Sequence, residues 1–451
     1  MTQVTLIVLQ HGLWGNKNHM RFIRKAIEEA CDASDAIDIL NVDINEGKYT
    51  YDGIDVCGER LAQKIRDRVD ELDNNKDTQV EGVIMVGYSL GGLMLRYAIG
   101  VLGKSGFFDN IKPLLYVTFA TPHLGVRREP KSTFLKFYNY ITGHILSRTG
   151  EQLQLLDDYQ DGSPILSVLA DPKREFHQYL SRFKQRRTYA NVANDRTVPY
   201  WTAAMEITNH FEIMKDLDIS VDSTYSSIIT AFDLLQHDED KNDDSTMTAT
   251  TTRSVHPSKK RKRSKDGILV KCLLVIFSPL LPVVALLAFL YIGSQGLMSR
   301  LRVARLLAAS SSKKTQQLIQ SETIRRSSKS NHSTILEEEN QEILVDTLDA
   351  TNIPTNPSPA VNMHQETTKK RSSLYNVMPS ERITKVVQPM ALSAHQIQIQ
   401  KHLDQLEWER VLVYIRGFNA HASIVCRERR FVNDGGRAAI QHFVDTLFAA
   451  C

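Results

Sequence analysis

Three short stretches of this chain carry residue types that could perform nucleophilic acyl chemistry. Gly87-Tyr88-Ser89-Leu90-Gly91 follows the apolar run Val83-Ile84-Met85-Val86 and precedes a helical pattern from Leu93 to Ala98. A serine on a sharp strand-to-helix turn presents its hydroxyl at the end of a sheet, and the small flanks Gly87 and Gly91 permit the close backbone approach such a turn needs. The bland alternative is a Gly-Ser turn that merely joins two elements, and the buried strand before it speaks against that. His11-Gly12-Leu13-Trp14-Gly15 directly follows the apolar run Val4–Leu9. Acyl transfer needs two backbone N–H donors aimed at a developing oxyanion, one after the nucleophile and one from an early strand-end loop. Leu90 and Leu13 are the candidates, with Gly12 keeping the loop small, while the side chains of His11 and Trp14 read as packing.

Asp195, in Ala190-Asn191-Val192-Ala193-Asn194-Asp195, lies just past a strand, where a carboxylate can reach over the sheet. Asp157, Asp158, Asp161 and Asp171 compete from a turn-rich insertion. The chain order of nucleophile, acid and base puts the base after Asp195, where two histidines compete. His210 follows it closely, whereas His421 sits in a loop between the last strand and last helix, the better place to bridge Ser89 and Asp195. His421 is the expected base and His210 the alternative; His123, His144 and His177 read as structural. This chemistry needs no cofactor, and no metal-ligand spacing such as HExxH occurs, so neither is expected.

The elements that must hold these residues are legible in the hydropathy pattern. Residues 1–235 alternate the runs Val4–Leu9, Ile37–Val42, Val80–Val86, Leu114–Phe119 and Thr188–Val192 with amphipathic stretches such as Met20–Cys31 and Val56–Leu72. That is the signature of parallel βαβ units. A second strand-helix pair, Val411–Ile415 and Gly436–Phe448, closes the chain within residues 401–451, too short for a core of its own, so it must complete the N-terminal sheet. With 55 Lys plus Arg against 52 Asp plus Glu, and 42% hydrophobic residues, the 451-residue chain is neither wholly disordered nor a polytopic transporter. Five scattered cysteines suggest free thiols in a reducing compartment. The N-terminus reads as a strand, not a secretory signal.

Between these halves the composition changes. Residues 236–266 pass from acidic to basic, ending in Lys259-Lys260-Arg261-Lys262-Arg263, and read as a solvated linker. Residues 267–298 are almost wholly apolar, and residues 299–400 are largely polar and expected to be mostly disordered. If His421 serves Ser89, a single membrane crossing would separate them, so the chain must return. Pro279 and Pro282 divide the apolar stretch into Ile268–Ser278 and Val283–Gly293, each about 16 Å long as a helix and near the thickness of one leaflet. Basic flanks on both sides suit ends that stay on one face. A membrane-anchoring hairpin is therefore expected, with a kinked single span, which would require His210 as base, as the competing reading. The basic run could also serve nucleic acid, but its position beside an apolar segment favours anionic headgroups, and no nucleic-acid partner is expected. The aromatic stretch Phe134–Ile141 is a weak candidate lid.

The strings His11-Gly12-Leu13-Trp14-Gly15-Asn16, Gly87-Tyr88-Ser89-Leu90-Gly91-Gly92, Phe119-Ala120-Thr121-Pro122-His123-Leu124-Gly125 and Tyr189–Pro199 together resemble the fungal serine esterase (lipase-like) family, which includes a lipid droplet phospholipase and acylglycerol lipases. The likeness covers about residues 3–235 and resumes from about Leu403 to Phe448. It implies an α/β-hydrolase fold with a mostly parallel central sheet, and Ser89, Asp195 and His421 at the catalytic positions. It also implies hydrolysis of glycerolipid acyl esters; with the anchoring hairpin, the expectation is an enzyme at a membrane or at the phospholipid monolayer of a lipid droplet, its catalytic domain facing the cytosol on a droplet or the endoplasmic reticulum. A non-catalytic scaffold or a lipid acyltransferase are the alternatives. Tyr88 departs from the His more often found before such a serine, and should alter the pocket beside Ser89.

Overall fold

The computed structural model describes residues 2–31, 36–74, 78–128, 147–235, 281–310, 362–366, 376–417 and 419–447. Its centre is a six-stranded sheet, ordered β2-β1-β3-β4-β5-β9, in which every neighbouring pair is parallel. The strands are β1 (Thr2–Gln10), β2 (Ile37–Asn41), β3 (Thr78–Tyr88), β4 (Lys112–Phe119), β5 (Gln185–Asn191) and β9 (Glu409–Val413). Near-continuous apolar runs such as Val83–Val86 are buried on both faces, as a helix-covered parallel sheet demands.

Alternate side chains of one strand feed different cores. Leu6, Val8, Val83 and Met85 pack under helices α2 (Ile54–Asp73) and α3 (Leu90–Lys104). Ile7, Leu9, Ile84 and Val86 face the other side, where α1 (Arg21–Ala30) and the helix Asp434–Asp445 contribute Ile23, Ile27, Ile440 and Phe443. The C-terminal segment thus completes the N-terminal sheet, with Thr188 opposite Arg410 and Asn191 opposite Val413.

Two features depart from the expected organisation. Before residue 401 lie the helices Glu381–Val386 and Ala394–Leu403: Ile383, Val387 just past the first helix, Ile399 and Leu403 are buried against the core. Those apolar residues are sparse in a polar stretch, yet each meets the body of the domain. Past Ala204 a small second sheet joins β6 (Leu217–Asp222) antiparallel to β7 (Ile229–Leu234) and parallel to β8 (Asn362–Glu366). A bridge between Ile228 and Val413 sets it against the edge strand β9.

Of the expected membrane hairpin, Ile268–Ser278 and Pro279 lie outside the described residues, as does the stretch Phe134–Ile141. The second half belongs to a helix that runs from Leu281 to Ser310 without stopping near Gly293. Among the described residues no helix is long and apolar enough to cross a membrane.

Candidate active site

Ser89 stands between the end of β3 and the start of α3 at φ 54° and ψ −128°, a conformation that L residues adopt only under constraint. The constraint is visible on every side. The Ser89 N–H donates to the Phe119 carbonyl at 2.8 Å, and the Thr121 hydroxyl donates to the Ser89 carbonyl at 2.8 Å. A Cβ on Gly91 would stand 2.3 Å from the Gln10 carbonyl oxygen, and one on Gly87 2.5 Å from the Gly92 backbone. Both glycines are there because backbone passes where a side chain would be.

The base comes from a distant part of the chain. His421 lies in the short helix Ala420–Ser423, capped by Asn419, whose side chain accepts the Ala422 N–H at 3.0 Å. Its Nε2 is 3.0 Å from Ser89 Oγ and its Nδ1 is 2.9 Å from Asp195 Oδ2. The carboxylate fixes the tautomer: Nδ1 carries the proton and donates to Asp195, so Nε2 is left to accept from the Ser89 hydroxyl. Asp195 is held as an acceptor in turn. Its Oδ1 accepts the N–H groups of Thr197 at 3.1 Å and Val198 at 2.7 Å, and its Oδ2 accepts from the Asn191 amide at 3.0 Å.

Three supports were not singled out in the sequence for these roles. Asn191, the last residue of β5, grips both Asp195 and the Ala420 carbonyl, at 3.2 Å, and so joins the acid loop to the base loop. Tyr88 donates its hydroxyl to the His421 carbonyl at 3.0 Å, its ring centroid 5.1 Å from the imidazole. The departure noted in the elbow is therefore a prop for the base. Thr121 belongs to a quoted string, but nothing local shows that its hydroxyl meets Ser89.

Gly12 brings the early loop against the nucleophile, since a Cβ there would lie 2.6 Å from Ser89 Cβ and 3.1 Å from Ser89 Oγ. Leu13 follows it, half-buried, and Leu90 is the first residue of α3, whose N–H has no intrahelical acceptor. The α3 dipole adds its positive end at this point. His11 is buried and neutral, its pKa pushed down to about 3 by burial, and its Nδ1 donates to the Gly12 carbonyl at 3.0 Å. The Trp14 ring packs 5.9 Å from Tyr51. Both side chains act in packing.

The competing residues are occupied elsewhere. His210 sits in a 3-10 segment, His210–Asp216, with its ring 6.3 Å from Phe232 and its pKa lowered by burial. His421 fills the place beside Ser89 that His210 would have needed. His123 meets the Thr118 hydroxyl at 3.0 Å and His177 meets the His402 carbonyl at 3.1 Å, while His144 lies outside the described residues. Asp157, Asp158 and Asp171 accept backbone N–H groups of their own turns, and Asp161 pairs with Arg174.

A relay of hydroxyl, imidazole and carboxylate at the start of α3, with the Gly12 loop against the nucleophile, is equipped for nucleophilic acyl transfer. A family model described as putative serine esterase (DUF676) matches residues 1–208, the span that holds Gly12, Ser89 and Asp195. The matched span is a little under half of the chain. The match ends before His421, which the folded sheet brings to the matched span.

Two curated relatives are fungal. Putative lipase C4A8.10 of Schizosaccharomyces pombe is 30% identical over 210 residues, which is 45% of this chain and 26% of that protein. Putative lipase ROG1 of Saccharomyces cerevisiae is 30% identical over 217 residues, 47% of this chain and 30% of that protein. The chain thus spans about a quarter to a third of the length of these relatives. Among solved structures, an extracellular alpha/beta-hydrolase from a Paenibacillus species is 13% identical, with a TM-score of 0.25 over 43% of this chain and 80% of that one.

Proposed function

We propose that this protein hydrolyses acyl esters of glycerolipids, phospholipid or acylglycerol, at a phospholipid surface. The observation that carries the reading is the continuous hydrogen-bonded relay from Ser89 Oγ through His421 to Asp195, built on a strained elbow. In the proposed reaction His421 Nε2 removes the Ser89 hydroxyl proton as Oγ attacks the ester carbonyl carbon. The carbonyl oxygen becomes an oxyanion held by the N–H groups of Leu13 and Leu90. His421 then passes the proton to the leaving alkoxide oxygen, releasing the alcohol and an acyl-Ser89 ester. Water, deprotonated by the same imidazole, attacks that ester; the imidazolium returns the proton to Ser89 Oγ as the acyl–oxygen bond breaks, and the fatty acid leaves.

Two observations support a lipid rather than a small soluble ester. The curated relatives are named lipases, and residues 267–298 supply a long apolar stretch between basic flanks. With this topology we place the protein on the cytosolic side of the endoplasmic reticulum or on a lipid droplet.

The deciding experiment is hydrolysis of a detergent-dispersed mixture of phospholipids and mono-, di- and triacylglycerols by the wild type, Ser89→Ala, His421→Ala and His210→Ala. The expected result is that the first two variants are inactive and His210→Ala is active, with the released products naming the substrate. Activity that survives Ser89→Ala, or loss with His210→Ala and not His421→Ala, would overturn the assignment. A wild type without hydrolysis, whose cellular effect survives Ser89→Ala, would mark a scaffold.

A further inference from the structure

The helix Leu281–Ser310 has two opposed faces of different use. Ile292, Gly296, Ser299 and Val303 recur at four- and three-residue spacing and are buried. They pack on the 3-10 segment Gly47–Asp52. On the opposite face, Leu286, Leu290, Leu297 and Leu301 form a second row at helical spacing, exposed by 56%, 56%, 60% and 46%. Leu287 and Met298 widen that row, and both are exposed. Six large apolar side chains on one helix face form a patch that water disfavours and a lipid interior does not.

The charge around this row points to its occupant. From Gly267 to Ser310 there is no Asp or Glu, while Lys271, Arg300, Arg302 and Arg305 are cationic and the run Lys259–Arg263 precedes them. Arg305 is exposed. Arg300 pairs with Glu151 and Arg302 with Asp52, so Arg305 and the run Lys259–Arg263 are the cations offered to headgroup phosphates while acyl chains take the leucines, as suits an anionic phospholipid layer.

The inner face ties this helix to the site. Asp52 is fully buried, and its carboxylate accepts from the Ser299 hydroxyl at 2.6 Å and from Arg302 Nε at 2.9 Å, with Arg60 Nη2 at 2.7 Å. The Arg302 guanidinium also lies 4.8 Å over the Tyr49 ring. The same 3-10 segment holds the loop that carries Leu13. Thr50 Oγ1 accepts the Trp14 N–H at 3.0 Å, and the Gly47 N–H donates to the Gly15 carbonyl at 2.9 Å. One short segment is therefore bonded to the helix on one side and to the oxyanion loop on the other.

We propose that the outer face of Leu281–Ser310 inserts at the headgroup–acyl boundary of an anionic phospholipid layer, and that Asp52, by gripping Arg302 and Ser299, positions the oxyanion loop relative to that layer. The positioning half rests on the esterase reading; the docking half does not. Membrane contact and the catalytic loop then share one rigid connection, so that a docked protein holds Ser89 at a set stance to the ester bonds of the layer.

The test uses the full chain with vesicles of phosphatidylcholine containing about one third phosphatidylserine. Wild type and Ser89→Ala are expected to co-float, while the double variant Leu290→Asp with Leu297→Asp loses at least about tenfold in vesicle binding and keeps its hydrolysis of a soluble short-chain ester. Both leucines are exposed, so that variant folds. Arg302→Gln is expected to co-float as the wild type does but to hydrolyse vesicle-presented ester about tenfold more slowly than soluble ester, relative to wild type, with Arg302→Lys restoring part of the loss. Unchanged flotation of the double variant, or a wild type that ignores vesicles and sediments as a dimer which the double variant abolishes, would overturn the docking face. Equal loss on both esters with Arg302→Gln would overturn the positioning role of Asp52. Flotation without any hydrolysis would sink the esterase reading and leave the docking face standing.

Discussion

Gly12→Ala probes the site through a single methyl group. The added Cβ would meet Ser89 Cβ at 2.6 Å, the Tyr88 carbonyl oxygen at 3.0 Å and Ser89 Oγ at 3.1 Å. Carbon atoms rest at about 3.5–4.0 Å, so loop and elbow must part by roughly 1 Å. The elbow cannot yield, because Phe119 and Thr121 hold both ends of the Ser89 backbone. The loop must move instead, and the Leu13 N–H moves with it. A displacement of about 1 Å costs on the order of 10²-fold, and loss of one oxyanion donor 10²- to 10³-fold. At 1.36 kcal/mol per tenfold, the barrier should rise by about 3 to 4 kcal/mol. The assay is kcat and KM on a soluble short-chain ester, with Tm measured alongside. Most of the loss should fall in kcat, because the oxyanion forms only on the way to the tetrahedral state. A kcat within about threefold of wild type at unchanged Tm would refute the placement of this loop against the nucleophile.

Gly91→Ala tests the fold rather than the chemistry: its Cβ would face carbonyl oxygens of Gln10 and His11 at 2.3 and 2.5 Å, both backbone, and about 3 kcal/mol of stability should be lost in urea unfolding. Asp195→Asn should lower kcat by about 10³- to 10⁴-fold with a normal Tm, since an amide cannot accept from all the donors that now converge on the carboxylate. An active Asn variant would place the acid elsewhere. Acid should destabilise the fold below about pH 6.5. His11 and His442 are pushed down to about 3 by burial and His123 well below its usual value, so the unfolded chain takes up protons that the native state refuses. Stability is complete above the unfolded pKa and falls by about 1.4 kcal/mol per pH unit for each such histidine as pH drops toward the folded value. His442→Gln, which can keep a bond to the Tyr189 hydroxyl now 2.7 Å from the ring, should reduce that slope by one proton. An unchanged slope would mean that His442 is charged in the folded protein.

Local rules made part of this protein legible from its residues alone. Apolar runs mark buried parallel strands wherever they fall, so β1 to β5 and β9 were legible to within a few residues at their ends. The elbow was legible because a serine between glycines after a buried strand has few other uses, and the loop glycine because backbone must approach backbone. The acid was legible from its place past a strand end. The choice between His421 and His210 was not local. His421 meets Asp195 across 226 residues and Ser89 across 332, and such contacts arise only when β9 pairs beside β5. The supports from Asn191, Tyr88 and Thr121 needed the same pairing, since each reaches a group that no spacing rule connects to it. The helices at Glu381 and Ala394 were hidden because their few apolar residues form no strong periodic stripe and are buried only against a body already folded. Likewise the sequence marked residues 267–298 as apolar, but only tertiary structure decided which face of Leu281–Ser310 packs on Asp52 and which stays outside. Propensity and turn chemistry act within a few residues, whereas burial and hydrogen bonding across a sheet depend on where the rest of the chain has gone.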